Sequence, residues 1–229
     1  MIARYASVAV AVALLACGRE KASGPPGAVA AGGVDTARTP TTGAPIVMFV
    51  GTSLTAGLGV EPDEAYPALI RRKIDSAGLN YRVVNAGVSG ETSAGALRRI
   101  DWLLREPVAV LVLETGANDG LRGQDPDSIR GTIQAIIDRV HAVQPATRIL
   151  LVGMNAMPNL GREYVTRFQA IYPAVARANG LAIVPALLEG VGGVDSLNQP
   201  DGIHPTPAGH RRLAANVWQV LQPLLTPSS

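Results

Sequence analysis

The sequence predicts an α/β fold, a three-layer α/β/α domain around a parallel five-stranded sheet in the strand order 2-1-3-4-5. Three observations predict it. Five short apolar runs recur from Pro45 onward. Each is nearly continuous in Val, Ile and Leu, as expected of strands buried on both faces. Longer amphipathic segments separate the runs, so strand and helix alternate five times, and right-handed crossovers then place helices on both faces of one sheet.

The elements follow in order. IVMFV (46–50) is the first strand and 64–77 the first helix; YRVVNA (81–86) and 93–104 form the second pair. VAVLVLE (108–114) leads to a helix over 127–143, where Asp127 before Ser128 and Ile129 offers a start. RILLVG (148–153) precedes 162–178, and LAIVP (181–185) precedes 206–222. Thr206 supplies a cap for the last helix and Pro207 its first position. This is the flavodoxin-like arrangement, in which ligands sit beyond the carboxyl ends of the strands.

The chain has 229 residues, 47% of them hydrophobic and 17% charged, enough for one core of single-domain size. The net charge of +2 is spread along the chain, without a basic block, so nucleic acid is not an expected partner. The opening MIARYASVAVAVALLACG carries Arg4 and then an apolar stretch, Ala6 to Ala16. That stretch is too short for the roughly 20 residues of a spanning helix and reads as a secretory signal over 1–17. Cys17, the single cysteine, follows LLA and resembles the lipidated first residue of a bacterial lipoprotein. The alternative is an ordinary cleaved signal with an incidental cysteine. Residues 18–44, rich in Gly, Ala, Pro and Thr, read as a disordered tether with a reach of roughly 30 Å. The domain itself is expected over 45–225, exported, monomeric and held near a membrane.

The strand-end loops carry the chemistry. They are GTSLTAG after the first strand, GVSGETS after the second, TGANDG after the third, NAMPNLG after the fourth and QPDGIHPTPAGH after the fifth. Brought to one sheet edge, they offer a serine, close-approach glycines, an asparagine amide, an aspartate and a histidine. A serine hydrolase needs these parts as nucleophile, oxyanion donors, orienting carboxylate and base.

Four of these blocks, GTSLTAGLGV…AYPALI, VVNAGVSGETS, ANDGLRG and DGIHP, resemble the SGNH, or GDSL, hydrolase family in its thioesterase I, lysophospholipase and arylesterase branch, over about Ile46 to Leu221. The resemblance implies Ser53 as nucleophile, with Asp201 and His204 completing a triad. It also implies an oxyanion hole formed by the Ser53 and Gly90 N–H groups and the Asn118 side chain. It implies a small-molecule ester or lipid substrate, such as an aryl ester, a short or medium acyl ester, a lysophospholipid or an acyl thioester. Neither metal nor cofactor is expected. The other class of reading is an inactive envelope protein of the same fold that binds glycan or lipid.

Each of these residues also has a blander reading. Taken alone, Ser53 after a strand reads first as a helix N-cap, an order that the other blocks reverse. Asn118 could simply hold the Gly116–Gly120 turn. Gly87 rivals Gly90 as the close-approach glycine, His141 reads as a surface residue, and His210 as a local partner rather than the base. A metal site from Asp201, His204 and His210 lacks any recognised ligand spacing. GTSLTAG also lacks the lysine and the Gly-Lys-Ser/Thr ending of a phosphate loop. One departure stands out: Thr52 precedes the serine where the family usually has Asp. Threonine cannot supply a charge, so the rigidity of the turn or its pH response is expected to differ.

Overall fold

A computed structural model describes residues 43–156 and 158–226. The signal, the lipidation position Cys17 and the linker up to residue 42 lie outside the described residues. Within them, five parallel strands form one sheet in the order 2-1-3-4-5. They are β1 (Ile46–Gly51), β2 (Arg82–Gly87), β3 (Val108–Glu114), β4 (Arg148–Val152) and β5 (Ala182–Val184).

The central strands behave as their composition requires. Every residue of β1 is buried, and so is every residue of β3 except Ala109. In register, Met48 lies between Val84 of β2 and Leu111 of β3. The edge strands differ, because β2 is only partly buried and β5 is three residues long. The apolar run continues to Pro185, but proline has no N–H for a ladder, and the chain turns there instead.

The described residues also form seven α-helices, α1 (Ser53–Ala56), α2 (Tyr66–Ser76), α3 (Ser93–Leu103), α4 (Ala117–Leu121), α5 (Pro126–Val143), α6 (Arg162–Asn179) and α7 (Pro207–Leu225), and two single-turn 3-10 helices at Pro158–Leu160 and Asp195–Leu197. α2 packs against α7, while α3, α5 and α6 pack together in series. α5 shows why: Ile129, Ile133, Ile136, Ile137 and Val140 recur at helical spacing and are all buried. It starts one residue earlier than expected, at Pro126 rather than Asp127. Asp125 is the cap, accepting the Ser128 N–H at 3.1 Å, and Pro126 takes the first turn. α7 starts as expected, with Thr206 accepting the Gly209 N–H at 3.3 Å.

The short helices α1 and α4 have no periodic sequence signal, and both begin at the sheet edge that matters. β2 lies on one side of β1 and β3 on the other, so the strand order reverses beside β1. The crevice at that reversal is where such sheets take ligands. α1 follows β1 into it, and α4 follows β3.

Candidate active site

Ser53 is the first residue of α1, reached through Thr52 in an extended conformation (φ −95°, ψ −153°). Its backbone N–H belongs to the helix's first turn and has no intrahelical acceptor. The loop after β5 brings His204 to it from 151 positions away, with Nε2 3.0 Å from Ser53 Oγ. On the far side of the ring, His204 Nδ1 lies 2.6 Å from Asp201 Oδ2. Asp201 Oδ1 accepts the backbone N–H groups of Ile203 and His204, each at 3.0 Å. Those donors, with the His204 side chain, hold the Asp201 carboxyl down to about 2. The carboxylate is therefore ionised at any ordinary pH. The Nδ1 proton then lies on the Asp201 side, and the Nε2 lone pair is left to accept the Ser53 hydroxyl.

A cleft of about 900 Å3 opens beside this line and is walled by all five strand-end loops. Gly90 and Asn118 line it, and Leu58, Leu121, Met154, Leu188 and Ile203 make its walls largely apolar. Gly90 has φ +78°, a left-handed conformation that favours glycine. Gly87 has a different reason to lack a side chain, since a Cβ there would strike the backbone of Thr55 and Ala56 in α1. Gly87 lets α1 lie on β2, and Gly90 turns the loop past the cleft.

Several residues that sequence reasoning did not single out hold these loops. Asn118 Nδ2 donates to the Glu91 carbonyl at 2.9 Å, which fixes the amide plane and leaves its second N–H available. Next to it, buried Asp119 accepts Ser93 N at 2.8 Å and Ser93 Oγ at 2.6 Å. Arg99 grips Glu91 in a bidentate pair at 2.7 and 2.6 Å, and its Nη2 also donates to the Ala86 carbonyl at 2.7 Å. The loop after β2 is thus stitched to the loop after β3. Gln199 does the same for the histidine loop. Its N–H donates to the His204 carbonyl at 2.7 Å, and its Nε2 to the Leu58 and Pro205 carbonyls at 2.8 and 2.9 Å.

His210 is buried, accepts the Tyr66 N–H on Nδ1 at 3.2 Å and stacks on the Tyr66 ring. Burial, with a smaller push from His204, lowers it to about 4 and keeps the ring neutral. Its role is local to the α2–α7 contact. His141 lies in the last turn of α5, away from the cleft lining. Among the described residues no group of three or more His, Cys, Asp or Glu side chains could hold a metal ion. No helix among them is long and apolar enough to cross a membrane.

Comparison with known proteins agrees with the architecture. The sequence pattern of the GDSL-like lipase/acylhydrolase family matches residues 49–212. Esterase TesA of Pseudomonas aeruginosa is 42% identical over 180 residues, covering 78% of this chain and 89% of that protein. Thioesterase 1/protease 1/lysophospholipase L1 of Escherichia coli is 36% identical over 185 residues, covering 80% of this chain and 86% of the relative. A crystal structure of TesA superposes with a TM-score of 0.75 at 42% identity, over 79% of this chain and 99% of that one.

Proposed function

The chain belongs to the GDSL-like lipase/acylhydrolase family and is a serine ester hydrolase; from that premise we propose that it acts outside the cytoplasm, through an acyl-enzyme on Ser53. The observation that carries this reading is the hydrogen-bonded line from Asp201 through His204 to Ser53 at the wall of an apolar cleft. His204 takes the Ser53 proton as Oγ attacks the ester carbonyl, while Asp201 stabilises the imidazolium that forms. Negative charge then develops on the carbonyl oxygen. The N–H groups of Ser53 and Gly90 and the second N–H of Asn118 are the donors for it, already held by α1 and by the Glu91 carbonyl. Collapse expels the alcohol with the proton from His204. A water, deprotonated by the same ring, releases the acid and restores the serine.

The apolar walls suit an acyl chain, and the breadth of the cleft suits more than an acetyl group. Aryl esters, short or medium acyl esters and lysophospholipids fit an exported enzyme better than acyl-CoA thioesters, which belong to the cytosol. A panel of p-nitrophenyl esters of graded chain length, run beside a lysophospholipid and an acetylated sugar, tests this. Turnover is expected on the acyl esters, rising beyond acetate. Absence of turnover on every member would favour a binding protein of the same fold.

Location rests on LLAC at 14–17 and on the Gly/Ala/Pro-rich segment behind it. The full chain is expected to fractionate with membranes, and Cys17→Ala to release it into the soluble exported fraction. Identical fractionation of the two proteins would remove the lipid anchor from this account.

A further inference from the structure

The nucleophile turn is built around a carboxyl group that the mechanism above does not use. β3 is apolar until its last residue, Glu114, which is fully buried between the sheet and the turn after β1. Burying a carboxyl group costs several kcal/mol unless donors surround it, and here every donor comes from the nucleophile turn or its neighbour. The Thr52 N–H donates to Glu114 Oε2 at 2.8 Å, and the Thr52 hydroxyl is shared between the two carboxyl oxygens at 2.9 and 3.0 Å. The Thr55 hydroxyl donates to Oε2 at 2.8 Å, and the buried Tyr66 hydroxyl backs it at 2.8 Å from Thr55 Oγ1. No Lys, Arg or His among the described residues pairs with the group. Burial pushes it above the ordinary carboxylate value against the pull of the Thr52 and Thr55 donors.

The turn has made room for this carboxyl group. A Cβ on Gly51 would fall 2.6 Å from Glu114 Oε2 and on top of the Thr55 side chain, so glycine is needed there for packing. Thr52, which stands where the family usually has aspartate, turns its hydroxyl toward Glu114. The charge at this position expected from the family pattern would face a second carboxyl group rather than the imidazole. Threonine instead supplies the donor that the buried acceptor requires.

We propose that Glu114 is a positioning residue for the ester hydrolysis: by gripping Thr52 and Thr55 on either side of Ser53, it sets the turn that aims the Ser53 hydroxyl at His204 and the Ser53 N–H at the developing oxyanion. Glu114 does not line the cleft, so it acts through the turn. Its position four residues before Asn118 also ties the nucleophile turn to the loop that carries the third oxyanion donor. This inference rests on Ser53 being the nucleophile.

The test compares Glu114→Met, which fills the site without acceptors, with Glu114→Gln, which keeps one acceptor oxygen for the Thr52 N–H and the Thr55 hydroxyl. A nucleophile displaced by a fraction of an ångström to an ångström loses up to about 100-fold in rate. Glu114→Met is therefore expected to lose about 100-fold in kcat with KM within about twofold of wild type, and Glu114→Gln to recover to within about tenfold of wild type. The rate of Ser53 labelling by a fluorophosphonate should fall in step with kcat. If Glu114→Met does not fold, Thr52→Val carries the test, with an expected fall of about 5–10-fold in kcat and an unchanged KM, and with a less-than-additive loss in the Glu114→Gln, Thr52→Val double variant. A folded Glu114→Met protein with wild-type kcat would overturn the proposal. So would equal kcat in Thr52→Val and wild type, or glutamine no better than methionine. Labelling of the wild type at a residue other than Ser53 would instead overturn the nucleophile reading and is seen separately.

Discussion

Ser53→Ala is expected to lower kcat/KM on p-nitrophenyl esters by roughly 10⁵–10⁶-fold, the scale seen when a nucleophile that works as a unit with its base is removed. The fold should survive. Ser53 Oγ has one hydrogen-bond partner among the described residues, His204 Nε2, and its neighbours Thr52 and Thr55 make the contacts that hold the turn. Alanine is compatible with the first helical position and leaves the Thr52–Glu114 bonds untouched. The measurement is paired: hydrolysis of the best substrate in the panel, and thermal unfolding of both proteins. Labelling by a fluorophosphonate should be lost with activity. Full activity in the alanine variant, or persistent labelling, would remove Ser53 from the mechanism and with it the acyl-enzyme.

Asp201→Asn has the next largest expected effect, a fall of roughly 10³-fold in kcat. The reason is directional. An asparagine can still accept the Ile203 and His204 N–H groups on its oxygen, where Asp201 Oδ1 now accepts them at 3.0 Å. Its amide nitrogen then faces His204 Nδ1 and donates to it, which moves the ring proton to Nε2, against Ser53. A fully buried aspartate replaced in this way costs about 10⁴-fold. The Asp201 side chain is 45% exposed, so water can take over part of its task and the loss should be smaller. The pH dependence has a defined sign. Asp201 is depressed from 3.8 to about 2, so its ionised contacts are complete above about pH 4 and are lost only as pH falls through about 2. An acid limb of kcat/KM between pH 4 and 7 therefore reports a group other than Asp201. Wild-type kcat in a folded Asp201→Asn protein would refute the orienting role.

Local patterns were readable because each is written within a few residues. The apolar runs at 46–50, 108–114 and 148–153 mark the buried strands, and Thr206-Pro207 marks the start of α7. Asp201 and His204 lie three positions apart, so one loop can place the carboxylate on the ring whatever the rest of the chain does. Edges were less readable. The end of β5 and the start of α5 depend on Pro185 and Pro126, whose effects turn on how the neighbouring backbone is paired.

By itself the sequence determined the layer order, the strand order and the short set of residues, Ser53, Gly90, Asn118, Asp201 and His204, that the strand-end rule and the family pattern bring to one sheet edge. Periodicity and residue type are local properties, and parallel crossovers leave few ways to arrange them. Only the tertiary structure decided which buried polar groups meet. Glu114 looked like the last letter of an apolar strand, yet its partners Thr52 and Thr55 stand 62 and 59 positions away. Asp119 closes on Ser93 across 26 positions, and Gln199 reaches Leu58 across 141. No periodicity records such pairings. A carboxyl or amide group taken out of water must find donors or acceptors wherever packing has put them, and which ones are within reach is known only after the sheet has closed around it.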